Sequence, residues 1–527
     1  MVQNTNGCLI GIDLGTTFSA VAYLDDEGKP VPIVNSEGST TLPSVVWFEE
    51  GRVWVGSEAK RRSLIEPQCV VSEIKREMGN WDYGFPYRGQ RLSAEAISAM
   101  ILKKLKQEAE ARIGSIRGAV ISVPFYFDDT RRKATEDAGR IAGLNVVDLV
   151  NEPVAATLCY AYGRGQMGRT SSGKPQESDP DPMRPVLVYD LGGGTFDVAY
   201  VMYNSRRFQV VGTDGDVRLG GTDWTRRLVD FVADKFLKRH GFDLRQQARS
   251  HQMLLQQCDD AKHALSERLR FTIPVRWDGK ELDIEIHRDD FEAMTADLLL
   301  RTETTTREVL DESKVSWDDL ADIVLVGGSA RMPMIRKMLE RTSGWLSYSG
   351  LPPGEAIAMG AAIHAEIACR RGAEAGAGDA STLGQIDQIT VNAHSLGIAV
   401  LDRQRDRLQT KVMIPRNSPL PCSVTRRFRT VASGQRAALV RVLEGESSEP
   451  EGCVQIGHCR LDQMPSGLPA GAPVEVSYCY QSNGRVHVAA RDLIGGRQVE
   501  SEIFHREGLK QNELELFRDF VASVPVA

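Results

Sequence analysis

The stretch DLGGGTFD, Asp190 to Asp197, sets three glycines and a threonine between two acids. Glycines let a backbone approach a ligand closely. Amide N–H groups in such a turn, with the Thr195 hydroxyl, form a nest that takes an anion. Carboxylates repel an anion, so the flanking acids need a role of their own. The stretch sits inside VLVYDLGGGTFDVAYV, Val186–Val201, which reads as apolar strand, Gly/Thr turn, apolar strand. LIGIDLGTTFSAVAYL, Leu9–Leu24, has the same pattern. Two matching hairpins imply two related lobes facing one cleft. Gly15, Thr16 and Thr17 then face Gly192, Gly193, Gly194 and Thr195 across a ligand with several phosphates. Asp13, Asp190 and Asp197 can hold Mg²⁺ through its waters, a K⁺ ion, or an attacking water. Taken singly, each is also an ordinary turn-forming Asp.

The chain has 527 residues, which calls for two or more domains. A formal net charge of -7 argues against a general nucleic-acid binder. No apolar run is long enough to span a bilayer, and the first residues lack the pattern of a secretion signal. Nine cysteines without C-x-x-C spacing suggest reduced thiols and a cytoplasmic location. Cys453, His458 and Cys459 lie close together, but buried thiols are the favoured reading there. Up to about Glu366 strand-like and helix-like runs alternate, the mark of an α/β architecture. SAEAISAMILKKLKQEAEARIG is expected to be a helix capped by Ser93, with Glu95 in its first turn and Gly114 at its end. From Ile389 to Phe504 short alternating strands predict a β-sandwich. NELELFRDFVASVP predicts one short helix, capped by Asn512 with Glu515 and striped by Leu514, Phe517, Phe520 and Val521.

Two nucleotide patterns in the Gly163–Arg184 loop are accidental. GRGQMG follows a helical run rather than a strand, and GRTSSGKP has Pro175 where a P-loop needs Ser or Thr. A third glycine motif, DIVLVGGSARMPMIRKMLE (Asp322–Glu340), carries an apolar strand into Gly327-Gly328-Ser329 and on to a helix. A turn this tight can accept a flat base or ribose.

GIDLGTT, AVISVPFYF, VNEPVAATLCYAYG, YDLGGGTFDVAYV, RLGGTDW and DIVLVGGSARMPMI, in this order, resemble the seventy-kilodalton heat-shock chaperones, the DnaK family. The resemblance implies an α/β actin-like ATPase domain of two lobes with duplicated ribonuclease-H-like units, followed by a β-sandwich. It divides the chain into an ATPase domain (1–370), a linker (371–390), a substrate-binding domain (391–505) and a short C-terminal helix (506–527) without the family's helical lid. The cofactors it implies are ATP or ADP, Mg²⁺ and K⁺. Thr16, Thr17, Gly193, Gly194 and Thr195 would cradle the phosphates. Asp13 and Asp190 would position the metal through water, with Glu152 and Asp197 nearby, and Lys75 in SEIKREMG would orient the attacking water. Phe18, Gly220, Gly221, Asp259, Lys262, His263, Ser266, Gly327, Gly328, Ser329 and Arg331 match further nucleotide-side positions. Pro124, Arg132 and Glu152 match a switch toward the substrate domain. Ile398, Phe428, Val431, Ala438 and Val440 match an apolar peptide cleft.

The implied function is ATP-dependent binding and release of unfolded polypeptide. The alternative is a nucleotide-switched adaptor with one dedicated partner. The expected protein is a cytoplasmic monomer that uses an exchange factor and binds neither nucleic acid nor membrane.

Several positions depart from the family pattern. The short segment after Lys75 resembles the smaller HscC-like branch. Asp148 stands where the family places an Arg that meets an acidic residue of J-domain co-chaperones, so stimulation by those partners is expected to be poor. The linker reads IDQIT, Ile386–Thr390, with Asp387 and Gln388 in place of leucines, which is expected to weaken its docking. The loop expected to arch over the cleft, LDRQRDRLQ, is long and charged.

Overall fold

Strand pairing in the computed structural model gives the two matching hairpins the same surroundings. It describes residues 7–167, 181–344, 350–372, 386–402, 405–481, 486–503 and 509–527. Strand Cys8–Asp13 pairs antiparallel with Phe18–Leu24 and parallel with Ile116–Val123. Strand Arg184–Leu191 pairs antiparallel with Phe196–Tyr203 and parallel with Asp322–Val326. Each hairpin is therefore central to its sheet, which explains the unbroken apolar runs on either side of the turns. The first-lobe sheet has six strands and the second-lobe sheet five.

Local sequence signals are met in detail. The helix Ala94–Ile113 starts at Ser93, whose hydroxyl accepts a hydrogen bond from the Ala96 amide at 3.3 Å, and stops at Gly114. Helices Glu152–Gly163 and Ala356–Gly372 pack between the lobes. Among the described residues no helix is long and apolar enough to cross a membrane.

The described strands between Leu396 and Ile503 form two four-stranded antiparallel sheets around one apolar core. His458 and Cys459 are neighbours on one strand, so they point to opposite faces: Cys459 is buried and His458 exposed. Of the linker, residues 373–385 fall outside the described residues. Asp387–Ile389 adds itself as a parallel edge strand to Arg207–Gln209 of the second-lobe sheet. Backbone pairing is indifferent to side-chain polarity, and strand alternation turns Asp387 outward while Ile386 is buried. The linker thus docks despite its polar residues.

The C-terminal helix, Gln511–Ser523, is capped two residues earlier than its sequence suggests. The Glu513 carboxylate accepts the Lys510 amide at 2.9 Å, so the cap sits at Lys510 rather than Asn512. Leu514, Val521 and Val524 join the first-lobe core, with Phe517 and Phe520 packed against it. Lys103 donates to the carbonyls of Val521 (2.6 Å) and Val524 (3.0 Å), a cation at the helix C-terminus where the macrodipole favours one. Pro525–Ala527 then pairs along Val53 as an added strand. Truncation Leu514→Ala should cost about 2 kcal/mol, the low end for a buried leucine. Leu516→Ala, on the exposed side of the same helix, should cost within about 0.5 kcal/mol. Scanning calorimetry separates them; equal shifts of the first thermal transition would contradict the docking.

Candidate functional site

The turns Leu14–Thr17 and Gly192–Thr195 meet at the floor of the interlobe cleft. They touch so closely that a Cβ at Gly193 would overlap Thr17, and one at Gly194 would overlap Thr16. Only glycine fits at both places. The RLGGTDW loop holds the second turn from behind: the Gly221 amide donates to Gly192 O at 3.0 Å and the Thr222 amide to Gly193 O at 2.8 Å. Gly327, at φ 80°, packs on the Leu191 carbonyl and the Asp190 carboxylate, which brings the third glycine motif beside the turn.

Strand ends deliver the acids. Asp13 closes its strand and accepts a hydrogen bond from Ser122 Oγ at 2.9 Å. Asp190 and Asp197 are direct partners across the second hairpin. Asp197 accepts the Tyr126 amide at 3.2 Å. Lys75 lies in a 3-10 turn, Ile74–Glu77, and its ammonium donates to Glu152 at 2.6 Å, both side chains being buried. Burial works against the Lys75 charge, but Glu152 and Asp13 overcome it and hold the ammonium above its ordinary value. Burial and the Glu152 charge push Asp13 up to about 6 and Asp197 to about 7. The same causes, with Asp197 and Asp13 added, raise Asp190 well above the carboxylate range.

These carboxyl groups are short of positive charge, and the polar atoms around them are short of partners. Thr17 Oγ1, Asp190 Oδ2 and Thr222 Oγ1 are buried without a hydrogen bond. Buried polar groups are paired in nearly all folded proteins. Orphaned hydroxyls at a glycine nest, beside acids that burial strains, fit a phosphate ligand accompanied by a cation.

The remaining nucleotide-side residues divide. Gly221, Lys262 and Ser329 come together at the cleft wall. Lys262 is buried and donates to Asp259 (2.6 Å), Thr225 Oγ1 (2.8 Å) and Gly221 O (3.2 Å). Ser266 donates to Lys262 O one helical turn on, at 3.2 Å. Gly15 donates its amide to Ser19 Oγ at 3.2 Å, and Gly220 accepts the Asp223 amide at 2.8 Å. Gly328 opens the 3-10 turn Gly328–Arg331. Phe18, His263 and Arg331 are exposed, His263 lying 3.7 Å from Asp259.

Sequence reasoning missed Arg76. Its guanidinium donates to Gly194 O (2.9 Å) and Asp223 (2.6 Å), tying the first lobe to the glycine turn of the second. Arg226 continues the tie, bridging Glu73 and Asp223 at 3.0 Å each. The available signal was adjacency to Lys75 on a tight turn, where neighbours point to different walls of one cleft.

Pro124 accepts the Phe127 amide at 3.2 Å where the Ile116–Val123 strand ends. Arg132 donates to Asn151 Oδ1, and Asn151 donates in turn to Thr390 Oγ1 at 3.4 Å, at the end of the linker. Among the described residues, contacts around His394, Arg416 and Asn417 seat the β-sandwich on the ATPase lobes. The Tyr126 and His394 rings meet edge-on at 4.3 Å. Arg416 pairs with Asp214 at 3.2 Å and with Glu312. Asn417 accepts the Thr213 amide at 3.1 Å. Of the cleft residues, Ile398 and Val440 are buried in the sandwich core, Phe428 and Ala438 pack half-buried against it, and Val431 is exposed. Asp148 is not a bare charge: His364 Nε2 lies 2.8 Å from its carboxylate. Of the expected arch, residues 403 and 404 fall outside the described residues.

Comparison with known proteins gives this geometry its context. The family model described as Hsp70 protein matches residues 9–84 and 82–519. The Chaperone protein DnaK of Thermotoga petrophila is 37% identical over 516 residues, covering 96% of this chain and 82% of its own length. The proteins of the same name from Thermotoga sp. and Thermotoga maritima match to the same extent. With an actin-like ATPase domain ahead of a β-sandwich domain, the chain belongs to the Hsp70 family of ATP-dependent chaperones.

Proposed function

We propose that ATP lies with its phosphates between the two Gly/Thr turns and that its hydrolysis there controls polypeptide binding in the β-sandwich. The carrying observation is the gathering of Lys75, Asp13, Glu152, Asp190 and Asp197 beneath the turns, where the hydroxyls of Thr17 and of Thr222 in the backing loop lack partners. Residues 1–370 act as the nucleotide-binding domain, 391–505 as the substrate-binding domain and 371–390 as the linker. Thr16, Thr17, Gly193, Gly194 and Thr195 cradle the phosphates. Asp13 and Asp190 hold Mg²⁺ through its waters, and the excess of carboxylates leaves room for K⁺ as well. A bound cation supplies neutralisation of phosphate charge. Phosphoryl transfer depends on positioning and charge more than on covalent chemistry. Lys75, fixed by Glu152, faces the attacking water and the developing charge, and Asp197, fixed by the Tyr126 amide, orients that water.

Gly221, Lys262, Ser266, Gly327, Gly328 and Ser329 form the adenosine side, with Phe18, His263 and Arg331 at its rim. Pro124, Arg132 and Glu152 pass the state of the phosphates to the linker and the β-sandwich. Clients are unfolded segments, an exchange factor serves to open the lobes, and the protein works as a cytoplasmic monomer. Nine cysteines free of disulfides suit such a compartment.

Lys75→Ala should keep ATP binding by calorimetry while single-turnover hydrolysis falls about a hundredfold or more, the scale for removing one electrostatic stabiliser; unchanged turnover would remove Lys75 from the role. Arg76→Ala should speed release of fluorescent ADP about tenfold or more, because hydrogen bonds to charged groups contribute ~1.5–3 kcal/mol. An off-rate equal to wild type would show that the interlobe tie does not restrain opening. J-domain proteins with an acidic docking residue should stimulate turnover weakly, and Asp148→Arg should raise that stimulation; strong stimulation by the wild type would contradict the charge argument.

A further inference from the structure

Glu444 ends the sandwich strand Ala438–Glu444 and is only 6% exposed. Its pairing sets its direction. Leu396 lies opposite Glu444, and Ile398 lies opposite Val442. Leu396, Ile398 and Val442 all belong to the sandwich core. Directly paired residues share a face, so the Glu444 carboxyl points to the core side of its sheet. Tyr480 of the other sheet is buried in the same core. Glu444 Oε2 is buried without a hydrogen bond. Buried polar atoms are paired in nearly all folded proteins, and an ionised carboxylate without a partner is strongly disfavoured there.

This end of the sandwich is the one seated on the first lobe. His394 and Ser395 immediately precede Leu396, and His394 Nε2 lies 3.4 Å from the Tyr126 carbonyl. The Ser395 carbonyl accepts the Gly445 amide at 3.0 Å, and the Ser395 amide and hydroxyl donate to Glu446 at 2.8 and 2.7 Å. Across the interface stand Asp128, the cap of the helix Asp129–Ile141, with Asp129 and Arg132 in its first turn. Burial, then Asp128 and Asp129, push the Glu444 carboxyl well above its ordinary value; Arg132 opposes them and Glu446 adds to them. Asp129 and Arg132 act on the Tyr480 phenol as well. Arg132 is already engaged, donating to the Phe127 carbonyl at 3.3 Å and to Asn151. Three acids and burial therefore outweigh one shared cation.

We propose that seating the β-sandwich on the first lobe takes up one proton at Glu444, so that the docked arrangement weakens as pH rises above neutrality. The inference rests on the reading that docking carries the nucleotide state to the sandwich, and adds a chemical control on that step. Detached, this end of the sandwich faces water and Glu444 ionises near its ordinary 4.5. Docked, it keeps its proton. A group that binds its proton more tightly when docked favours docking fully below its detached value. The contribution is lost as pH rises, by up to about tenfold in the docking equilibrium per pH unit, until the docked carboxyl itself ionises. His394 acts the opposite way: burial holds it below its ordinary 6.5, so docking expels a proton in more acidic solution. The two effects offset each other below that value and leave the Glu444 slope alone above it. Asp214, also raised by burial at this interface, has Arg416 as its partner at 3.2 Å, and the Tyr126 phenol is pushed up to about 12.

The test uses the full chain with fluorophores on Leu300 and Ile494, exposed residues of the second lobe and the sandwich, attached through unnatural amino acids so that the cysteines stay unlabelled. Single-molecule energy transfer gives the ratio of docked to detached molecules with ATP and with ADP. From about pH 7 to about pH 8.5 that ratio should fall about tenfold or more. Glu444→Gln keeps the shape without the titration and should flatten the slope, while Glu446→Gln should keep it. Asp128→Asn preserves a helix cap and removes one repelling charge, so the ratio at the alkaline end should rise above wild type. The infrared difference between wild type and Glu444→Gln should show the carbonyl band of one protonated carboxyl; Asp13, Asp190 and Asp197 cancel in that difference. A flat wild-type profile, an equal slope in Glu444→Gln, or the absence of that band would overturn the proposal. A flat profile whose docked fraction still differs between ATP and ADP overturns the proton alone and leaves the nucleotide reading standing. A Glu444-dependent slope with no difference between the nucleotides does the reverse.

Discussion

Lys75 contacts Glu152 at 2.6 Å, and that contact neutralises one of four carboxylates around the cleft floor. Asp13, Asp190 and Asp197 remain, each driven upward by burial and by the Glu152 charge, Asp190 also by Asp197 and Asp13. Such a cluster is unfavourable in a folded protein unless something is gained by it. The surrounding architecture keeps the acids together all the same. Two central strands end at the same point in space, a hydroxyl and an amide are directed at two of the acids, and a helix start supplies Glu152. A site this short of positive charge favours an incoming cation, and the cation allows a polyphosphate to approach carboxylates that would otherwise repel it.

The same arrangement makes the lobes interdependent. The two turns form one nest only because the first-lobe turn touches the second-lobe turn, so on the proposed reading the chemistry requires the closed cleft. Arg76 contributes directly to closure, because it belongs to the turn that carries Lys75 and binds the carbonyl of Gly194 in the opposing nest. Opening the cleft withdraws Lys75 and breaks the Arg76 contacts in one movement. If the proposed site is correct, nucleotide exchange and catalytic competence are opposite positions of one mechanical coordinate.

The sequence made the hairpins and their acids readable because strand, turn and strand are local, and because the repeat shows the pattern twice. Ser93 and Gly114 were readable as helix ends for the same reason. Lys75 was not readable from its surroundings; only resemblance singled it out from a polar helix-like run. Arg76 with Asp223, and Asp148 with His364, are 147 and 216 residues apart, and no local rule joins them. The linker shows what a side-chain pattern leaves out. Asp387 and Gln388 weaken burial, but a parallel edge strand is held by backbone hydrogen bonds, which the side-chain pattern does not report. The C-terminal stripe was legible as amphipathic, yet its partner, the first lobe rather than the sandwich, depended on tertiary contacts alone.

Two short routes run from the cleft to the β-sandwich, and they differ in kind. In the first, the amide of Tyr126 holds Asp197 while its ring holds His394, so one residue serves both domains. Any shift of Asp197 would bear on the peptide unit whose side chain is the contact surface. In the second, Arg132 binds Asn151, the residue immediately before Glu152, and Asn151 reaches Thr390 at the end of the linker. Because Glu152 opens its helix, moving its carboxylate with Lys75 moves the turn that contains Asn151. Both routes begin at groups paired in the phosphate site and end at the sandwich or its tether. On the proposed reading the coupling needs no long chain of intermediaries: segments 124–132 and 151–152 contact both the acid cluster and the sandwich or its tether, so phosphates that moved Asp197 or Lys75 would act directly on the surface on which the sandwich rests.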